Sequence, residues 1–130
     1  MPCTLFLLFN HELTEIQEKD GHDSLGISRI IDLPADLEKL WQQIPPDVQK
    51  IDDYLAPIKT WLAGQASSSD YVLIQGDFGA TYIMVNFAFE NGLIPIYSTT
   101  MREAVEEHDN HGTVRLTHNF RHEMFRKYGV

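Results

Sequence analysis

The chain has 130 residues, of which 43% are hydrophobic and 22% are charged. This length suits one domain spanning residues 1–130, and this composition excludes a disordered chain, which would carry fewer apolar and more charged residues. The net charge of −9 excludes a general binder of long nucleic acids, because such proteins neutralise phosphates with clustered Lys and Arg.

Cys3 is the single cysteine, and six histidines are scattered along the chain. One thiol forms no intrachain disulfide, and the histidines lack the His-Glu-x-x-His spacing of a helical metal site. The apolar run at residues 4–9 is far too short to cross a bilayer. We therefore expect a cytoplasmic protein with no metal, no other cofactor and no membrane partner.

The first predicted elements are a strand and a helix. Residues 4–9 form a continuous apolar run, the pattern of a parallel strand that helices cover on both faces. Thr14 followed by Gln17 matches a capping box. This motif predicts a helix that begins after Thr14 and ends near Gly21 or Gly26.

A second strand and two helical segments follow. Residues 27–33 predict the strand, and residues 36–65 change to a helical period. Two apolar stripes of that period are separated by the prolines at 45–46. Pro57 should break or kink the second helix unless the helix begins there.

The middle of the chain contains a complete strand-helix-strand unit. Residues 71–75 and 93–97 predict strands, and residues 80–90 predict a strongly apolar helix between them. Pro95 suggests that the second of these strands lies at a sheet edge or begins late. A right-handed crossover would place the turns that follow both strands side by side, at the carboxyl ends of parallel strands.

The last part of the chain predicts a short helix at residues 101–108 and a turn at residues 109–112. Alternating apolar and polar residues predict a terminal pair of strands within residues 114–128, for which an antiparallel arrangement fits. The whole pattern predicts an α/β fold: a Rossmann-like, mostly parallel sheet flanked by helices, with a C-terminal strand pair.

The strongest local motif joins the predicted strand 71–75 to the helix that follows, and we call it the glycine loop. It comprises Gln75, Gly76, Asp77, Phe78, Gly79, Ala80 and Thr81. Glycines let the backbone approach a ligand closely, and free amides at the start of a helix attract phosphate. The alternative is a tight turn in which Asp77 caps the helix. The Gly-x-x-Gly spacing matches neither the full dinucleotide fingerprint nor the Walker loop, so only the location favours anion binding.

Polar residues also follow two other predicted strands. Asn10 and His11 come after the first strand, and Thr99, Thr100 and Arg102 come after the fourth. In a doubly wound sheet these turns share one edge with the glycine loop, so their side chains would converge on an anion. Each residue also has a plainer interpretation as a turn, cap or surface residue.

The segment at residues 117–128 interleaves aromatic and basic side chains. His118, Arg121 and His122 belong to it, and such a pattern can stack bases and hold phosphates. The alternative, which the residues alone favour slightly, is an amphipathic strand whose aromatic side chains are core and whose arginines face water.

Taken together, the glycine loop, the Thr99-Thr100-x-Arg102 segment and residues 117–129 resemble the stand-alone Csx-type ring nucleases, a small family associated with type III CRISPR systems. The resemblance covers the whole chain. It implies a homodimer with a CRISPR-associated Rossmann fold (CARF-like). Such a dimer would hold a cyclic oligoadenylate, above all cyclic tetra-adenylate, across its two-fold axis. Cleaving the ring without a metal would switch off the antiviral signal.

The reaction that this resemblance implies is attack of an adenosine 2′-hydroxyl on the adjacent phosphate, which leaves a 2′,3′-cyclic phosphate. The catalytic residues it implies are Asn10, His11 and Arg102. The ligand-binding residues it implies are the glycine loop, Thr99, Thr100 and, more weakly, His118, Arg121, His122 and Arg126. Two alternatives stay open: a protein that sequesters cyclic oligoadenylate without cutting it, and an unrelated Rossmann-type nucleotide-binding module.

Overall fold

The computed structural model of the protein describes residues 3–130, and within that range it describes only the backbone of Val105, Thr117 and His118. These residues form five strands: β1 (Cys3–Leu8), β2 (Ile27–Asp32), β3 (Tyr71–Ile74), β4 (Ile94–His108) and β5 (Val114–Lys127). They form four α-helices: α1 (Glu15–Leu25), α2 (Ala35–Gln42), α3 (Ala56–Gln65) and α4 (Phe78–Glu90), with a 3-10 turn at Asp53–Leu55 before α3.

The strands form one sheet in the order β2-β1-β3-β4-β5. The first four strands are parallel, and β5 runs antiparallel to β4. The prediction of a mostly parallel α/β sheet with a C-terminal strand pair is therefore confirmed.

The sheet is covered on both faces, which explains the continuous apolar run of β1. Phe6 and Leu8 pack with α2, α3 and α4, whereas Leu5 and Leu7 pack on the other face beside α1. All four side chains are buried. A strand that alternates its side chains between two dry layers must be apolar at every position.

The helix boundaries in the first half follow from local sequence. The Oγ of Thr14 accepts from the Gln17 N–H, and the Gln17 side chain accepts from the Thr14 N–H, so the predicted capping box is present. Gly26 ends α1 in the left-handed conformation, with φ of 69°. Pro57 lies in the first turn of α3 and does not kink it, because the first turn needs no intrahelical N–H donor there.

The prediction of a helix at residues 101–108 is wrong, because β4 continues through them to His108. Its partner is β5, which pairs with it from Ile96 opposite Lys127 to His108 opposite Val114. The C-terminal strand pair is thus β4 with β5, not two strands within residues 114–128. Glu, Ala, Met and Arg favour helix locally, but pairing with a strand across a short turn overrides that weak preference.

Pro95 lies inside the sheet, between β3 and β5, so β4 is not an edge strand. The carbonyl of Pro95 accepts from the Tyr128 N–H, so its main-chain groups face β5. Ile96 opposite Lys127 is the last pair in that direction, so the missing N–H of the proline lies at the end of this ladder and not within it.

In residues 3–130 no helix is both long enough and apolar enough to cross a membrane.

Candidate functional site

The glycine loop stands at the carboxyl end of β3 and opens α4. The Oδ2 of Asp77 accepts from the Ala80 N–H at 3.0 Å, so Asp77 does cap the helix. Gly76, Asp77, Phe78 and Gly79 are all exposed. The first amides of a helix have no intrahelical partner, and here they open toward solvent, where an anion can reach them.

Trp41 of α2 packs against the glycine loop and holds it in place. The sequence alone did not identify this residue. Its Nε1 donates to the carbonyl of Gln75 at 3.2 Å, and its ring is buried. A Cβ at Gly76 would lie 2.9 Å from that ring. Position 76 is therefore glycine because the indole packs directly against the backbone.

An aromatic cavity of about 300 Å³ opens on one side of the loop. Its lining residues are Gln75, Gly76, Phe78, Thr81, Tyr97 and Tyr128. The Phe78 side chain is 95% exposed, and the Tyr97 and Tyr128 rings lie 4.8 Å apart. Thr81 Oγ1 is buried and has no hydrogen-bond partner among the described residues. The cavity therefore offers flat apolar surfaces.

A polar cavity of about 220 Å³ lies on the other side, where the ends of β1 and β3 meet. Phe9, Asn10, His11, Gln75 and Gly76 line it. Asn10 and His11 are exposed, and the His11 ring stands edge-on to Phe9 at 5.4 Å. The first predicted turn and the glycine loop are thus neighbours, with Gln75 shared by both cavities.

A chain of hydrogen bonds, here called the Asp20–His122 network, connects α1 to the loop. His122 Nε2 contacts Asp20 Oδ2 at 2.7 Å, and His122 Nδ1 contacts Ser98 Oγ at 2.5 Å. Ser98 also accepts from the Gln17 side chain, and its N–H donates to Gln75 Oε1 at 2.7 Å. The His122 side chain is only 4% exposed. His122 therefore positions Ser98 and does not face either cavity.

The network has two consequences for charge and orientation. The hydroxyl of Ser24, and then the hydrogen bond and charge of His122, lower the pKa of Asp20 against the opposing effect of burial. Because a backbone N–H can only donate, the carbonyl end of Gln75 faces Ser98. Its NH₂ group is left as a donor for the cavities.

The remaining predicted residues do not converge on the glycine loop within one subunit. Arg102 lies within β4, not in a turn, and its guanidinium stands 5.9 Å from the Phe120 ring. Thr99 Oγ1 bonds the main chain of Met124 across a bulge in the strand pair, and Thr100 is exposed on β4. Arg121 faces Glu103 at 3.9 Å. His118 lies on β5, and its side chain is outside the described part of the structure.

Arg126 is a cation that approaches the aromatic cavity. Its Nη1 donates to the hydroxyl of Tyr97 at 2.9 Å, and its guanidinium stands over the Tyr97 ring at 5.6 Å. Among the described residues that line the two cavities there is no Lys or Arg. No three His, Cys, Asp or Glu side chains in the described residues are grouped as metal ligands.

Comparison with known proteins gives the family of the chain. The model of a family described as "Uncharacterized protein MJ1673 family" matches residues 3–126. A protein of Methanocaldococcus jannaschii described as "Uncharacterized protein MJ1673" is 52% identical over 124 residues, which cover 95% of each chain. No solved structure matches. The chain therefore belongs to the MJ1673 family.

Proposed function

We propose that this protein is a metal-independent ring nuclease with a CARF-like fold, which binds a cyclic oligoadenylate and cleaves it. Cyclic tetra-adenylate is the expected ligand, and its loss would switch off type III CRISPR antiviral signalling. The observation that carries the proposal is the exposed glycine loop, which stands between an aromatic and a polar cavity at the carboxyl edge of the sheet.

The two cavities suit different parts of an adenosine nucleotide. The rings of Phe78, Tyr97 and Tyr128 offer the flat surfaces on which bases stack. The exposed start of α4 offers amides and a favourable dipole for the adjoining phosphate. The ribose and the scissile phosphate would then lie over Gly76, facing Asn10 and His11.

The proposed reaction involves no oxidation or reduction and uses no cofactor. The 2′-oxygen of one adenosine loses its proton and bonds to the adjacent phosphorus, while the bond from phosphorus to the next 5′-oxygen breaks. The 5′-oxygen takes up a proton, so the products end in a 2′,3′-cyclic phosphate and a 5′-hydroxyl. His11 can exchange these protons, and the amides of Asn10 and Gln75 can donate to the phosphoryl oxygens as charge develops.

The charge of the protein works against such a ligand, since each chain carries −9. The amides of α4 attract phosphate without any charged side chain, and Arg126 adds one cation beside Tyr97. A ring with several phosphates needs more positive charge than this. The proposal therefore includes a homodimer in which the second subunit supplies cations.

The test is incubation of the purified protein with labelled cyclic tetra-adenylate in EDTA, followed by separation of cyclic and linear products. Linear product ending in a 2′,3′-cyclic phosphate is the expected result. Tight binding of a ring that stays intact would show that the protein sequesters the ligand and does not cleave it. Absence of binding to cyclic tri-, tetra- and hexa-adenylate would overturn the proposal and leave an unrelated nucleotide-binding module.

A further inference from the structure

Residues 100–121 form a two-stranded ribbon that leaves the body of the sheet. β4 pairs with β3 only from Ile94 to Ile96, and from Ser98 onward it pairs with β5 alone. Every side chain that the structure describes within the ribbon is exposed. The ribbon ends in the 109–112 turn, where Asp109 Oδ1 accepts from the N–H groups of His111 and Thr113.

One strand of the ribbon places three apolar side chains on the same face. Residues that are opposite each other in an antiparallel pair project from the same face. Phe120 is opposite Arg102, Leu116 is opposite Glu106, and Val114 is opposite His108. The three apolar side chains therefore share a face, on which they are 53–68% exposed.

A ribbon with exposed apolar side chains is expected to pack against a partner. A two-stranded ribbon without further packing is marginally stable in water, because it buries little apolar surface. An exposed apolar stripe on a ribbon marks a surface for association.

The charge of the ribbon indicates which partner. It carries Arg102, Arg115 and Arg121 against three glutamates and Asp109, a net charge of −1. The rest of the chain therefore carries −8 of the total of −9. The face that bears Val114, Leu116 and Phe120 carries one arginine, Arg102, and one glutamate, Glu106, so it has no net charge and can meet the same face of a second copy without repulsion.

We infer that this face of the ribbon is the surface through which two copies of this chain dimerise. The stripe formed by Val114, Leu116 and Phe120 packs against the same stripe of the second copy about a two-fold axis. Arg102 projects from this face, whereas Arg115 and Arg121 project from the opposite one. Dimerisation through this face therefore places Arg102 at the interface with the partner subunit. The inference rests on the homodimer of the proposed function and names its surface.

The test is sedimentation equilibrium of the full chain, wild type against the double variant Leu116→Ser with Phe120→Ser. The wild type should be a dimer, and the double variant should be a monomer with unchanged far-UV circular dichroism. Met101→Ser, on the opposite face, is the matched control and should remain a dimer. Should the double variant fail to fold, the single variants Leu116→Ala and Phe120→Ala should each raise the dimer dissociation constant at least about tenfold.

Two results would overturn the inference: a monomeric wild type, or ribbon variants that dimerise as tightly as the wild type. The latter result, with the ring still cleaved by the wild type, would remove the ribbon surface and leave the proposed function standing. A wild type that dimerises through the ribbon but binds no cyclic oligoadenylate would leave the ribbon surface standing and remove the proposed function.

Discussion

Gly76 is the residue at which the glycine loop is packed most tightly. Its Cα faces the buried ring of Trp41, and an added Cβ would approach that ring to 2.9 Å. Overpacking of this kind costs about 1–3 kcal/mol, so Gly76→Ala should lower the free energy of unfolding by that amount in a urea titration.

Gly79→Ala is the matched control for this prediction. A Cβ there would lie 3.5 Å from Ile51 and Asp77, an ordinary contact, and alanine favours the helical position. The control should be as stable as the wild type or slightly more stable. A Gly76 variant as stable as the Gly79 variant would show that the indole is free to move away.

The substitution Gln75→Glu tests whether the Gln75 side chain binds the proposed ligand. Its carbonyl is held by the Ser98 N–H, and its NH₂ group is the donor left for a phosphate. Gln75→Glu keeps the acceptor and replaces the donor by a negative charge. Isothermal titration with cyclic tetra-adenylate should show a loss of affinity of at least about tenfold, the contribution of one hydrogen bond to a charged group.

Gln65→Glu makes the same change of charge at the exposed end of α3 and should leave the affinity unchanged. Equal affinities of the Gln75 and Gln65 variants would remove Gln75 from the site.

At this scale the sequence identifies residues that come just after strands and misses those that meet them from elsewhere. Asn10 and Gln75 follow apolar runs, so their place at the sheet edge could be predicted. Trp41, Tyr97 and Tyr128 come from three other parts of the chain. No local pattern marks them, because their contacts with the loop exist only after folding.

Among the elements, α1 shows both a local and a distant source of stability. Its capping box is encoded within four residues, Thr14 to Gln17. Its other anchor is the contact of Asp20 with His122, more than one hundred positions away in the chain. Only the first of these could be predicted from the sequence.

The Asp20–His122 network predicts a pH dependence of stability. Because the Ser24 hydroxyl and then His122 lower the pKa of Asp20, folding favours its ionised form. The stabilisation is therefore present above the unfolded carboxyl pKa, about 4, and is lost as the pH falls through the lower folded value. In urea titrations Asp20→Asn should be less stable than the wild type near neutral pH, and the difference should shrink below a pH of about 4.

Asp47→Asn removes an exposed carboxylate from the segment between α2 and α3 and serves as the control, with a small difference at every pH. A difference for Asp20→Asn that stays constant from neutral to acid pH would contradict the role of its ionised form.

The strand pair of β4 and β5 shows where element prediction failed. Residues 101–108 carry helix-favouring side chains, and the exposed faces of the ribbon give them no clean alternation. The turn at residues 109–112 was predicted, and Gly112 there has a positive φ of 75°. Pairing across that turn, more than any local preference, makes residues 101–108 a strand.

At the scale of the whole molecule, the question is which subunit of the dimer supplies Arg102 to the polar cavity. Should the ribbon dimerise as inferred and bring Arg102 to the partner's cavity, single variants can complement each other. Asn10→Ala and Arg102→Ala should each reduce turnover at least about tenfold alone. Mixed in equal amounts and allowed to exchange subunits, they should recover roughly a quarter of wild-type activity, because half of the dimers then hold one intact site.

The control is a mixture of Asn10→Ala with His11→Ala. Both changes lie in the same polar cavity, so every mixed dimer has two damaged sites and recovers nothing. Recovery in neither mixture, with both variants impaired, would place Arg102 in its own subunit's reaction.

The sequence by itself determined the α/β class, the order of helices and strands along the chain up to the start of β4, the cap of α1, and the position of the glycine loop between β3 and α4. These features depend on periodicity and on contacts a few residues apart, which the chain encodes locally. Tertiary structure alone decided that β4 extends into a ribbon, that His122 is buried against Asp20, and that Arg102 stands away from the loop. Each of these depends on contacts between separate elements of the fold, whose free energy no single segment carries.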